Sequence, residues 1–280
     1  MECINLVNEL SSVLSKKNFD NPIRIVEELI SYHLGCGCLE IYSKKIDEIN
    51  HILNDFERIL KNEPLQYVIG NVNFYGNTFR CDNRALIPRP ETEILVESVI
   101  QSKIWSKEKI SILEIGTGTG CISISLAKLR EKISIDSIDI SLKALDLAKQ
   151  NYLLNNVKEP INFIHTDFKN FKTTTIYDII ISNPPYISLK DWKDLSPSVK
   201  KYEPKSALIG GIDGTEFINL IIKKSELFLE TGGEIFLEIG FDQSPKVKDL
   251  LSSNGFNDIN ITNDIQNIPR IINAKYKLPK

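Results

Sequence analysis

Between residues 110 and 276 the chain alternates short apolar runs with stretches of helical period, and few folds accept that alternation. Strand-like runs cover 110–115, 133–138, 161–165, 177–182, 234–239, 258–261 and 270–276. Helical patterns at 121–129, 142–154, 215–229 and 245–253 separate most of them. The run Tyr177-Asp178-Ile179-Ile180-Ile181-Ser182 is apolar on both faces, as a central parallel strand covered by helices must be. The pattern predicts a doubly wound, mostly parallel α/β sheet. Such sheets bind ligands beyond the carboxyl ends of their strands, so the residues there are the first to examine.

Asn183-Pro184-Pro185-Tyr186 follows the run at 177–182. Two prolines cannot donate to a ladder, so they stop the strand. The carbonyls of Asn183 and Pro184 are then left without strand partners, beside a side-chain amide and the Tyr186 ring. An amide or amino group of a substrate fits those acceptors. Asn-Pro also marks ordinary turns. Its place after a buried strand, with a nucleotide-type loop upstream, favours function.

That loop is Glu114-Ile115-Gly116-Thr117-Gly118-Thr119-Gly120, at the end of the first strand. Glycines permit a tight turn and close approach of a ligand to the backbone. The spacing is G-x-G-x-G, with Cys121 next, and departs from the dinucleotide fingerprint. A smaller adenosine-bearing ligand suits it better than a pyrophosphate. Asp139 ends the second strand, about 20 residues beyond the loop, where an acid accepts hydrogen bonds from ribose hydroxyls. Asp167-Phe168 follows the third strand and offers an acceptor for an adenine amino group and a ring edge for its face. Each acid alone also fits a helix cap; three consecutive strand ends make the stronger case.

The first 62 residues read differently. Ile4, Leu6, Val7, Leu10, Val13 and Leu14 fit a helical period. Asp20 or Asn21 with Pro22 opens a second helix, striped by Ile25, Val26, Leu29 and Ile30 and broken at Gly35 and Gly37. A third stripe runs from Ile46 to Leu60. Residues 64–84 alternate loosely around Gly70 and Gly76-Asn77, which predicts a linking β-hairpin. Leu86-Ile87-Pro88-Arg89-Pro90-Glu91-Thr92-Glu93 then opens a helix, with acids in its first turn. Arg89 either lines the site or pairs with a carboxylate.

Composition narrows the function classes. A net charge of −3 and a pI near 5.8 do not suit a protein that grips nucleic acid by its phosphates. The acidic start, Met1-Glu2-Cys3-Ile4-Asn5, is not that of a signal peptide, and no apolar run reaches the ~18 residues of a membrane span. Five scattered cysteines read as reduced thiols, which predicts a cytoplasmic protein. His33, Cys36 and Cys38 cluster, but no fourth ligand is near; a turn around Gly35 and Gly37 accounts for them, and no metal is expected.

Together these motifs resemble class I S-adenosylmethionine-dependent methyltransferases: E-x-G-x-G-x-G, the acid after the second strand and Asn-Pro-Pro-Tyr after the fourth. Within that group the chain is similar to the protein-(glutamine-N5) methyltransferases of peptide chain release factors, the PrmC/HemK family. The similarity takes in the helical N-terminal part, the hairpin, Leu86 to Glu93, the glycine loop, Asn183 to Tyr186, Glu203-Pro204, Ala207-Leu208, Gly210-Gly211 and Asp213-Gly214. One departure is Ser198-Val199, where the family carries Glu-Val.

The resemblance implies a Rossmann-like seven-stranded methyltransferase domain over 86–280. A substrate-recognising helical domain over 1–63 and a hairpin linker over 64–85 would precede it. It implies S-adenosylmethionine as cofactor and S-adenosylhomocysteine as product. Gly116, Thr117, Gly118, Thr119, Gly120, Asp139, Asp167, Phe168 and Asn183 would hold the cofactor. The acceptor would be the glutamine of a release factor's Gly-Gly-Gln motif. The Asn183 side-chain oxygen and the Pro184 carbonyl would take its amide hydrogens, Tyr186 would pack the flat amide, and Pro185 would stiffen the corner. No membrane or direct nucleic-acid partner is expected. Two rivals stand beside this reading. Nucleic-acid amino-group methyltransferases use similar Asn/Asp-Pro-Pro-aromatic motifs and would need base flipping on a duplex. A non-catalytic relative should have lost Gly116, Gly118, Asp139 or Asn183, and none is missing.

Overall fold

The computed structural model describes residues 1–277. The chain divides into two compact units. The first comprises Met1–Asn71 with Pro197–Tyr202; the second comprises Val72–Ser196 and the chain from Glu203 onward.

In the first unit α1 (Cys3–Lys16), α2 (Pro22–Leu34), α3 (Asn50–Leu60) and the short α4 (Leu65–Ile69) pack around Leu6, Leu10, Val26, Leu29, Ile30 and Phe56. The stripes follow the expected spacing, with one shift: Cys3 turns inward and Ile4 lies exposed. α2 begins with Pro22 in its first turn and ends on Gly35 in the left-handed region, where a side chain would be strained. The expected stripe from Ile46 becomes helical only at Asn50. α4 falls inside the stretch expected as hairpin, where Leu65 and Val68 bury themselves in the helical core. His33 Nε2 lies 3.0 Å from Asp55 Oδ2. Among the described residues no group of three His, Cys, Asp or Glu side chains is arranged to hold a metal ion. No helix among them is long and apolar enough to cross a membrane.

The second unit opens with a hairpin, β1 (Asn71–Phe74) and β2 (Asn77–Arg80), followed by α5 (Pro90–Gln101). Phe74 and Phe79 pack edge to face and are buried with Leu95, Val96 and Val99 of α5, so the hairpin belongs to this core. Next come β3 (Ile110–Ile115), α6 (Cys121–Leu129), β4 (Ile133–Asp139), α7 (Leu142–Leu154), β5 (Ile161–His165) and β6 (Tyr177–Ser182). The chain continues through β7 (Ile187–Ser188), α8 (Pro197–Tyr202), β8 (Ile209–Gly211), α9 (Glu216–Ser225), β9 (Leu229–Glu238), α10 (Ser244–Ser253), β10 (Phe256–Asn263) and β11 (Pro269–Tyr276). α8 counts with the first unit, where the Tyr202 hydroxyl donates to the Lys61 carbonyl at 3.1 Å.

Seven strands form one sheet in the order β10-β11-β9-β6-β3-β4-β5. β5, β4, β3, β6 and β9 run parallel; β11 runs antiparallel to β9, and β10, antiparallel to β11, returns to the common direction. The sequence helix expected at 215–229 stops at Ser225, and β9 starts at Leu229, five residues before the expected strand. Leu229 is apolar under either period, so only its pairing with Tyr177 across the sheet settles the matter. The strand order reverses between β3 and β6, which sets the ends of those two strands side by side at the switch point.

Candidate active site

A cavity of about 660 Å³ lies over that switch point, a size suited to a small organic ligand. The glycine loop forms its floor. Gly116 and Thr117 donate backbone N–H groups to the Ile138 carbonyl at 2.8 and 3.1 Å, and Gly120 closes the turn onto the Thr117 carbonyl at 2.8 Å. Gly116 and Gly118 have φ of +84° and +55°. A Cβ added at Gly118 would stand in open cavity space. Gly120 serves packing instead: a Cβ there would lie 3.0 Å from Ile124 Cδ1 and 3.1 Å from Ala148 Cβ, so its absence lets α6 close on α7.

Asp139 is held from both sides. The Gly118 N–H donates to Oδ2 at 2.9 Å and the Ser141 N–H to Oδ1 at 2.8 Å. Burial raises its pKa, while those two backbone donors oppose the shift. Each oxygen keeps lone-pair capacity toward the cavity for a pair of hydroxyls. Asp167 also lines the cavity; its Oδ1 accepts from the Lys169 N–H at 2.9 Å. Phe168 reaches the cavity but is mostly taken up by the core, with Phe217 and Phe228 against it and Lys224 Nζ 4.9 Å from its ring centre. An open glycine cradle, an anchored carboxylate at the cavity wall and an apolar lining fit an adenosine group carrying a small aliphatic tail.

At the β6 end, Asn183 and Pro185 line the cavity; Pro184 is buried and Tyr186 half-buried, and neither lines it. The Asn183 backbone carbonyl is what a Cβ at Gly116 would approach, at 3.9 Å, so the two strand ends are in near contact. The Asn183 Nδ2 donates to Thr92 Oγ1 at 3.0 Å, and Thr92 Oγ1 donates to Glu238 Oε2 at 2.7 Å. The Tyr186 hydroxyl donates to Glu238 Oε1 at 3.3 Å. Burial pushes the Glu238 carboxyl up to about 7 and raises the Tyr186 phenol as well. β8 and Gln243, at the start of α10, clamp this corner. Gln243 Nε2 donates to the Tyr186 carbonyl at 2.9 Å, and β7 pairs with β8.

Arg89 takes both alternatives left open by the sequence: it lines the cavity and pairs with Glu203. Three positions went unnoticed in the sequence. Thr92 sits within the helix-opening motif, and Glu238 ends β9 beside β6, so a rule of reading every strand-end acid would have found the latter. Asn151 gave no signal. It is fully buried on α7, donates to the Thr119 and Arg80 carbonyls at 2.9 and 3.1 Å, and accepts from the Arg80 N–H at 2.7 Å. It thereby ties the glycine loop to the hairpin.

Residues 5–70 match the family described as PrmC N-terminal domain, and residues 90–196 match the methyltransferase small domain. A release factor glutamine methyltransferase of Thermodesulfovibrio yellowstonii is 37% identical, over 95% of this chain and 96% of that protein. One from Fusobacterium nucleatum is 37% identical over 98% of this chain and 79% of its own length. The crystal structure of a methyltransferase from Pyrococcus furiosus superimposes with a TM-score of 0.56 at 16% identity, over 80% of this chain and 99% of that one; it shares the fold. With more than a third of its residues identical over nearly its whole length, the chain belongs to the release factor glutamine methyltransferase family.

Proposed function

We propose that this chain transfers a methyl group from S-adenosylmethionine to the side-chain amide nitrogen of the Gly-Gly-Gln glutamine in peptide chain release factors. The site of action is the cytoplasm, and the helical unit within residues 1–63 recognises the release factor. One observation carries the chemistry: the Asn183 Nδ2 is already engaged by Thr92, which leaves Oδ1 as an acceptor at the cavity that holds the glycine loop.

When bound, the cofactor supplies an electrophilic methyl group on a positively charged sulfur. Gly116 to Gly120 would give it backbone room, and the Asp139 carboxylate would take its ribose hydroxyls. Asp167 would accept from the adenine amino group, and Phe168 would set its ring edge against the adenine face. A carboxamide nitrogen is a poor nucleophile because its lone pair is delocalised into the carbonyl. Asn183 Oδ1 would accept one of its hydrogens at the cavity, and the Pro184 carbonyl would take the other from just outside the lining, so that the pair fixes its approach and stabilises positive charge as it develops. Pro185 stiffens the corner and Tyr186 packs beside the flat amide. The transfer would leave S-adenosylhomocysteine as product, and the methylated nitrogen would give up its proton to water.

Incubating the purified chain with radiolabelled cofactor and a release factor tests this reading. Label should appear on the Gly-Gly-Gln glutamine, and Asn183→Ala should lower turnover ~100-fold or more while cofactor still binds. Asp139→Asn should instead weaken cofactor binding ~10-fold by calorimetry. Label on nucleic acid and none on release factor would overturn the proposal.

A further inference from the structure

The chain of donors behind Asn183 has a direction. Glu238 is 1% exposed at the end of β9, and as a carboxylate it can only accept. Thr92 has one hydroxyl hydrogen, which goes to Glu238 Oε2, so the same oxygen can only accept from Asn183. Asn183 must therefore turn Nδ2 inward and Oδ1 toward the cavity. Without this chain the carboxamide is free to turn over and present N–H groups to a substrate that itself presents N–H groups. We infer that Thr92 and Glu238 are positioning residues that fix the Asn183 carboxamide with its oxygen toward the substrate.

This rests on the reading of Asn183 as the acceptor of the glutamine amide hydrogens. The Tyr186 hydroxyl, on the other oxygen of Glu238, ties the aromatic of the same tetrapeptide to the same carboxylate. Burial is the main influence on Glu238; Thr92 and Tyr186 hydrogen bonds oppose it, Glu91 adds to it and Arg270 opposes it. The hydrogen bond to Thr92 survives protonation of the carboxyl, provided the proton sits on the oxygen facing Tyr186. The inference therefore depends on acceptor placement and not on the charge alone.

The test compares Thr92→Val, Thr92→Ser and Asn183→Ala in the full chain, with S-adenosylmethionine and a release factor as substrates. Valine keeps the shape and removes the hydroxyl; serine keeps the hydroxyl. Thr92→Val should lower kcat ~10-fold or more with both KM values within ~2-fold, and Thr92→Ser should retain kcat within ~3-fold. Glu238→Leu should lower kcat similarly, and its combination with Thr92→Val should be no worse than either alone, because the two act as one unit. If Thr92→Val does not fold, Thr92→Ala serves the same comparison. Wild-type kcat in Thr92→Val or Thr92→Ala beside an inactive Asn183→Ala overturns this inference and leaves the reading of Asn183 standing. Equal losses in the serine and valine variants also overturn it. An active Asn183→Ala overturns the reading beneath it.

Discussion

Arg89 and Glu203 lie 114 positions apart in the chain and meet in one ion pair, with Arg89 Nη2 donating to both carboxylate oxygens of Glu203 at 2.6 and 2.8 Å. The Glu203 side chain is 1% exposed, whereas that of Arg89 is 33% exposed. The pair is therefore a buried anion held by a half-exposed cation at the rim of the cavity.

Removing the cation strands the anion. Arg89→Ala should destabilise the protein by about 2–3 kcal/mol, at the low end for a buried pair because solvent reaches the arginine. At this chain length that is a fall in Tm of roughly 4–10 °C. Arg89→Ala with Glu203→Gln should recover part of the loss. Calorimetric melting of the single and double variants checks this, and an unchanged Tm in Arg89→Ala would refute it.

Gly210 is demanded by sterics and not by its φ. A Cβ there would come within 2.3 Å of the Pro185 carbonyl oxygen and 2.4 Å of that of Gly214, both backbone atoms. Gly210→Ala should cost about 3 kcal/mol or more and displace the Pro185 corner, so turnover should fall with stability. Gly118→Ala should behave differently. Its Cβ meets nothing within 4 Å. Left-handed strain should cost it only about 1 kcal/mol, while the methyl intrudes on the cofactor and raises its KM. Melting curves beside steady-state kinetics separate the two cases.

Glu114 lies buried beneath the glycine loop, with the Ser137 hydroxyl donating to Oε2 and Thr117 Oγ1 2.8 Å from Ser137 Oγ. Burial pushes its carboxyl up from 4.5 to about 7. Between those values the folded chain holds a proton that the unfolded chain has lost. The folded state is thus favoured most at the low end of that window, and stability declines as pH rises through it. Glu114→Gln removes this share of the decline. The Tm difference between about pH 5.5 and pH 8 should be several degrees smaller in the variant than in the wild type. Equal differences would show that Glu114 ionises no less readily in the folded chain.

The sequence by itself determined the elements that depend on local rules. Period-two and period-3.6 patterns placed most of the sheet strands and their helices between 110 and 276, though not β7, α8, β8 or the start of β9, and Pro184-Pro185 marked where β6 must stop. The turn of Gly116 to Gly120 followed from glycines at a strand end. What tertiary structure alone decided are the partnerships of residues that satisfy no local rule. Thr92, Asn183 and Glu238 lie on a helix, a loop and a strand and meet only because β6 and β9 are neighbours in the sheet. Asn151 is one polar residue of a helix until the hairpin and the glycine loop close over it. Hydrophobic period is written residue by residue. A buried hydrogen bond between distant residues exists only once the sheet order brings donor to acceptor and removes the water that would otherwise serve both.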